Sequence, residues 1–142
     1  MNENELLPGN WVRVDSIREK YGMVTENYHT VDSAPGIRMI SVSGKGTGAR
    51  YCVRLSETQP ILISPKLLEM NGFVEDGEGY MYFTDQYHII IDCSASGKLT
   101  IDIKNDLEKT MYRREDVSDY YLHSLQNALS LCEIKKKLMP YE

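Results

Sequence analysis

Alternation of apolar and polar residues dominates the first sixty positions of the chain. Val12 and Val14 alternate with Trp11, Arg13 and Asp15. That is the period of two of a half-buried strand, and it predicts a strand over Asn10 to Asp15, with Pro8-Gly9 punctuating its start. Further strand-like runs follow at Tyr21 to Thr30, Ile37 to Ser43 and Ala49 to Leu55. Ser43-Gly44-Lys45-Gly46-Thr47-Gly48 joins two of them and is expected to be a hairpin loop. It lacks the GxxxxGK spacing of a phosphate cradle, and no helical pattern follows it. Short, closely spaced strands imply a small, SH3-like bent sheet or partial barrel.

The pattern changes after Gln59. Ser64 can cap a short helix that starts at Pro65, carries Leu67, Leu68 and Met70 on its apolar side, and ends at Asn71-Gly72. Phe73 should return the chain to the core. Strands are predicted at Tyr80 to Thr84 and Gln86 to Cys93, then a turn at Ser94 to Lys98, then a strand at Leu99 to Ile103; Thr110 to Arg114 can add an edge strand. The branched run Ile89-Ile90-Ile91 suits a central strand covered on both faces. From Val117 to Leu138 the pattern is helical, with Leu122, Leu125, Leu129 and Cys132 at spacings of three and four. Asp116 or Ser118 can cap its start, Asp116 and Asp119 favour its positive end, and Lys135, Lys136 and Lys137 its negative end. The helix is expected to cover the second sheet. The fold class read from these patterns is α+β, with a β subdomain over residues 1–60 and an α+β subdomain over 61–142.

Composition adds constraints rather than elements. With 142 residues, 42% hydrophobic and 26% charged, the chain falls in the ordinary globular range. The cysteines are Cys52, Cys93 and Cys132, an odd number with no CxxC pair, which argues against a disulfide framework or a structural zinc. Each lies beside apolar residues and is expected to be buried filler. The N-terminus lacks a signal-peptide pattern and no apolar stretch reaches membrane-spanning length, so a cytoplasmic protein without a membrane partner is expected. The net charge of −5 is unevenly spread. Residues 10–59 carry seven cations against five anions, and residues 60–142 carry nine against fourteen.

Candidate chemistry is sparse. His88 and Asp92 are four apart on one expected strand and share a face, but no third metal ligand is evident. No nucleophile signature appears, and neither a cofactor nor a metal is expected. Tyrosines concentrate in the second half, where Tyr80 and Tyr82 can line a recognition surface for a partner. Arg13, Arg38, Lys45, Arg50 and Arg54 can form a basic face on the first sheet. On the closing helix, Leu122, Leu125 and Leu129 are expected in the core. Gln126 and Asn127 flank that stripe and are expected to satisfy backbone groups at the sheet margin. The functional reading is a non-enzymatic binding or accessory module for a protein, or weakly for a nucleic acid. The alternative is an enzyme whose site is assembled around Tyr87, His88 and Asp92.

Several pieces in order carry a resemblance: Gly9-Asn10-Trp11-Val12, then Pro60-Ile61-x-Ile63-Ser64 leading to Leu67-Leu68 and Asn71-Gly72-Phe73, then a Tyr-rich hairpin, then His123-Ser124-Leu125-Gln126-Asn127. In these the chain resembles a group of small uncharacterised proteins from gut Bacteroidetes and their mobile elements, whose closing helix has an H-x-L-Q-N pattern. It departs from that group at Ala128-Leu129-Ser130, where aromatics are usual, and in its Lys-rich end. The resemblance implies the fold and supplies no catalytic residue.

Any nucleic-acid binding through the basic face should be weak and salt-sensitive, because phosphate contacts release counterions. A DNA or RNA titration repeated at rising salt checks this: affinity unchanged at high salt contradicts it.

Overall fold

In the computed structural model, the described residues form two antiparallel five-stranded sheets and two α-helices. The structure describes residues 6–31, 34–46, 48–77, 79–93, 98–117 and 120–141, with side chains described except at 27–31, 34–37 and 116. The class is α+β. The chain divides into two units, Met1–Ile61 with Tyr121–Asn127, and Leu62–Tyr120 with Ala128–Glu142. The first turns of the closing helix therefore belong with the first unit, not with the second sheet's residues.

In the first unit, β1 (Trp11–Val14), β2 (Tyr21–Val31), β3 (Ala34–Gly44) and β4 (Arg50–Arg54) form a meander. A 3-10 turn at Leu55–Glu57 then returns the chain so that β5 (Thr58–Gln59) pairs with β1, giving the order β4-β3-β2-β1-β5. This is the strand order of an SH3-like half-barrel. The long β2–β3 pair shifts register after Val24, Glu26 and Thr30. Each such irregularity adds local bend and twist, which lets an open sheet of long strands curl over its own core. That core holds Val12, Val14, Val24, Ile40, Val42 and Val53, the inward half of the alternation seen in the sequence.

The second unit opens with α1 (Pro65–Met70), where the Ser64 hydroxyl accepts from Leu67 N–H at 3.2 Å. Gly72, at φ 85°, provides the left-handed exit that a side chain would resist, and Phe73 is buried. The strands β6 (Val74–Asp76), β7 (Gly79–Phe83), β8 (Tyr87–Cys93), β9 (Leu99–Asn105) and β10 (Thr110–Val117) form a simple meander with β8 at its centre. Ile89 and Ile91 are fully covered, whereas Ile90 on the other face is only half-buried, so one face of this strand is dry. At Gly79 the pairing is tight: a Cβ there would collide with the Ile91 carbonyl oxygen across the strand.

The closing helix, α2 (Leu122–Leu131), is shorter at both ends than the Val117 to Leu138 expected. Val117 belongs to β10. At the other end, Glu133 N–H donates to Ser130 C=O at 3.0 Å and Ile134 N–H to Leu129 C=O at 2.9 Å, with Glu133 at φ 58°. These are the two bonds of a Schellman terminus, formed here without its usual glycine. The lysines 135–137 follow the helix and do not belong to its last turn. Asp116 lies in β10 and not at the start of this helix; the cap expected of Ser118, the dipole role expected of Asp119 and the turn over residues 94–97 lie outside the described residues.

Two amide clamps hold non-local segments. In the first unit, Gln126 Oε1 accepts from Trp11 N–H at 3.0 Å and its Nε2 donates to Gly9 C=O at 3.1 Å. Asn127 Oδ1 accepts from Asn10 Nδ2 at 2.9 Å, and Asn10 Oδ1 accepts from Leu7 N–H at 2.8 Å. In the second, Asn71 Nδ2 donates to Leu67 C=O and Met139 C=O at 2.8 and 2.9 Å, while its Oδ1 accepts from Met139 N–H at 2.8 Å.

Leu122, Leu125 and Leu129 are fully buried. Leu125→Ala should therefore cost about 2–5 kcal/mol, as a cavity in a packed core does. Gln126→Ala should cost about 1–3 kcal/mol, since it removes the acceptor of the part-buried Trp11 N–H. Chemical denaturation ranks the two; a harmless Leu125→Ala would mean that the polar stripe, not the leucines, faces the core. Glu133→Gly should stabilise by about 0.5–1 kcal/mol, because it relieves a left-handed non-glycine residue at some cost in unfolded-state entropy, and the same measurement reads it.

Candidate functional site

The residues of the expected basic face divide between the two faces of the first sheet. The guanidinium of Arg13 is bonded to the Asp15 carboxylate by two contacts of 2.9 and 3.2 Å. Lys45 lies 6.0 Å from the centre of the Tyr21 ring. Arg50 and Arg54 are exposed on one face of β4 with Cys52 between them, roughly 13 Å apart along the strand. Met39 pairs with Arg54, so Arg38, its neighbour in β3, falls on the opposite face by alternation. By the same pairings Arg13, Arg50 and Arg54 leave one face of the sheet, with Arg13 directly opposite the Tyr21 whose ring Lys45 approaches.

The candidate enzyme residues are likewise split by the pleat. His88 and Asp92 share the face of β8 that also carries half-buried Ile90, whereas Tyr87 projects from the other face with Ile89 and Ile91. The imidazole of His88 contacts Glu108 at 3.4 Å and the edge of Phe83 at 6.0 Å between ring centres. Asp102 shares that face: it is buried, and Arg113 binds one of its oxygens at 2.8 Å and Glu115 at 2.7 Å. No group of three or more metal-ligating side chains occurs among the described residues.

Aromatic side chains do gather, on the face bearing Ile89 and Ile91. Phe73, Tyr82 and Tyr87 form a row with ring-centre separations of 5.5 and 6.2 Å. The Lys136 ammonium lies 3.8 Å from the centre of the Tyr82 ring. This is cation–π geometry, so Lys136 is held by a ring of the second sheet and not by the helix end expected of it. Tyr82, Tyr87 and Lys136, together with Lys135 and the β7–β8 turn at Thr84, Asp85 and Gln86, line a shallow recess. Burial raises the pKa of the Tyr87 phenol, so its hydroxyl stays protonated and can donate. Tyr80, on the same face two residues before Tyr82, lines a separate and apolar recess with Leu62, Cys93 and Tyr120.

None of the three cysteines forms a disulfide, but Cys52 and Cys93 are exposed and Cys132 half-buried, which corrects the expectation of buried filler. Cys52 occupies the outward phase of the edge strand β4, where apolar sequence neighbours point the other way. Sequence reasoning also missed Asn10 and Lys136. Asn10 is 4% exposed, and the signal for it was its place between Gly9 and the first strand residue, where backbone groups need partners. Lys136 carried no signal, since its ring partner lies fifty-four positions away.

Among the described residues, no helix is long and apolar enough to cross a membrane.

The hydrogen bond from Arg13 holds the Asp15 carboxyl below the usual carboxylate range, and Ser16 followed by Arg54 N–H does the same for Glu57. A carboxyl whose pKa is depressed on folding stabilises fully above its unfolded value and loses that contribution as pH falls through the folded one. Acid titration of stability should therefore show a shallower fall below about pH 4 in Asp15→Asn than in the parent chain; identical slopes would mean that the Arg13–Asp15 pair has no effect in solution.

Compared with protein-family models, curated proteins and solved structures, the chain matches none of them.

Proposed function

We propose that the protein is a non-enzymatic binding module that presents the Tyr82–Tyr87 recess to a protein partner. What supports this reading is the recess itself, in which two tyrosines and two lysines converge on one shallow surface. Tyrosine offers large contact area at low entropic cost and a polar tip, and such rings beside cations suit an anionic side chain set next to an apolar one. The enzyme reading has less support, because Tyr87 is on the opposite face of β8 from His88 and Asp92. Binding of nucleic acid stays a subordinate role for Arg50 and Arg54. Three cysteines outside any disulfide suit a reducing cytosol, and the sequence resemblance suits an accessory protein of a bacterial mobile element.

The test is affinity capture from the cells that express the protein, read by mass spectrometry, with Tyr87→Ser and Lys136→Glu run beside the parent chain. A partner recovered by the parent and depleted at least about tenfold by either variant, with circular dichroism unchanged, is the expected outcome. A partner retained equally by both variants places recognition elsewhere.

A further inference from the structure

The apolar recess of the second unit has a different character from the tyrosine–lysine surface and shares no residue with it. Its volume is about 300 Å³. One wall is the segment leading into α1 with that helix, through Leu62, Pro65 and Leu68; the other is the sheet, through Tyr80, Ile91 and Leu99. The sheet wall is a contiguous patch, because Tyr80 pairs with Ile91 and Cys93, two residues further on, pairs with Leu99. The opposite wall is fixed by backbone bonds. Ile63 N–H donates to Tyr120 C=O at 3.0 Å, and the Ser64 hydroxyl is committed to the cap of α1.

The chemistry of the lining is one-sided. Among the described residues, no Asp, Glu, Lys, Arg or His contributes to it. The Tyr80 hydroxyl interacts with Glu69, and burial raises the pKa of both Tyr80 and Tyr120, so both phenols are neutral. Water in such a space finds few of the roughly three hydrogen bonds that a buried water ordinarily makes. Displacing poorly bonded water with an apolar group is favourable, whereas bringing in a charge would cost its hydration with no counter-charge in return. The volume is about twice that of an apolar cavity known to hold one benzene ring, and it lies at the lower end of small-molecule pockets.

We propose that this recess is a binding site for an uncharged, apolar small molecule about the size of two fused aromatic rings. Leu62, 56% exposed, forms its rim, and the exposed Cys93 thiol lies beside the bound molecule. The proposal is independent of the partner surface at Tyr82 and Tyr87, and neither stands or falls with the other.

The experiment uses the full chain carrying Cys52→Ser and Cys132→Ser, so that Cys93 is the sole thiol, and N-phenyl-1-naphthylamine as the probe. Fluorescence titration should show one saturable site. Saturating probe should slow alkylation of Cys93 by iodoacetamide at least about fivefold, as occupancy well above Kd requires. Leu62→Trp fills the rim from an exposed position, so the fold is not threatened, and it should weaken the probe at least about tenfold. The sulfonated analogue 1-anilinonaphthalene-8-sulfonate, with similar rings and a fixed charge, should leave the Cys93 rate unchanged at the same concentration. Non-saturable fluorescence, saturable binding that neither protects Cys93 nor responds to Leu62→Trp, or equal protection by the sulfonate would each overturn the proposal.

Discussion

A buried backbone group without a partner costs about as much as the hydrogen bond it lacks, and the start of the first strand is organised by that constraint. Gly9, Asn10 and Trp11 are where the meander begins, so their polar groups have no neighbouring strand to complete them on every side. The chain supplies the missing partners from 115 to 117 residues downstream, through Gln126 and Asn127. Each primary amide offers a donor and an acceptor at once, and Gln126 uses both, one on Trp11 N–H and one on Gly9 C=O. Burial of Leu122 and Leu125 brings the helix in; the amides fix its register against the strand. Hydrophobic attraction alone would tolerate rotation and sliding of the helix, whereas these bonds tolerate neither.

The elements with strong alternation were legible from residues alone. Val12 and Val14, and Leu99, Ile101 and Ile103, announced their strands because burial of alternate side chains imposes the period; the unbroken Ile89-Ile90-Ile91 run announced a strand by its branched residues, but not that one of its faces is only half-buried. The helix α1 was legible too: its cap Ser64, first-turn Pro65 and exit Gly72 each have a local physical reason. What was illegible depended on partners distant in sequence. The strands β5 and β6 are two and three residues long, too short for a period to register. The stop of α2 had no signal, since Glu133 is an unusual residue to take a left-handed conformation, and the polar Lys run continued a composition that helices also favour. The five cations looked alike in sequence; Asp15, Tyr21 and the pleat distinguish them in space.

The candidate surfaces differ in the same way. A period-two pattern shows which residues leave the sheet together, so the shared face of Tyr80 and Tyr82 could be anticipated. That one borders an apolar recess and the other a charged one depends on Leu62, Tyr120 and Lys136, which arrive from other parts of the chain. Titratable groups that drew attention by type, among them His88 and Asp92, turned out to be separated or tied to neighbours such as Glu108.

The Asn71 clamp has a consequence for how the molecule ages. Asn71 precedes Gly72, and an asparagine followed by glycine is the pairing most open to deamidation, because the small following residue lets its backbone nitrogen attack the side-chain amide. In the fold, that nitrogen donates to Glu69 C=O at 3.1 Å and the amide is committed to Leu67 and Met139. Both reactants are held away from the geometry of attack, so the chemistry runs chiefly through molecules that have opened. Its product, a carboxylate, has no N–H to give to either carbonyl and would repel both. A molecule that opens long enough to deamidate therefore cannot close in the same way again, and the native state of this segment shields its own weakest bond.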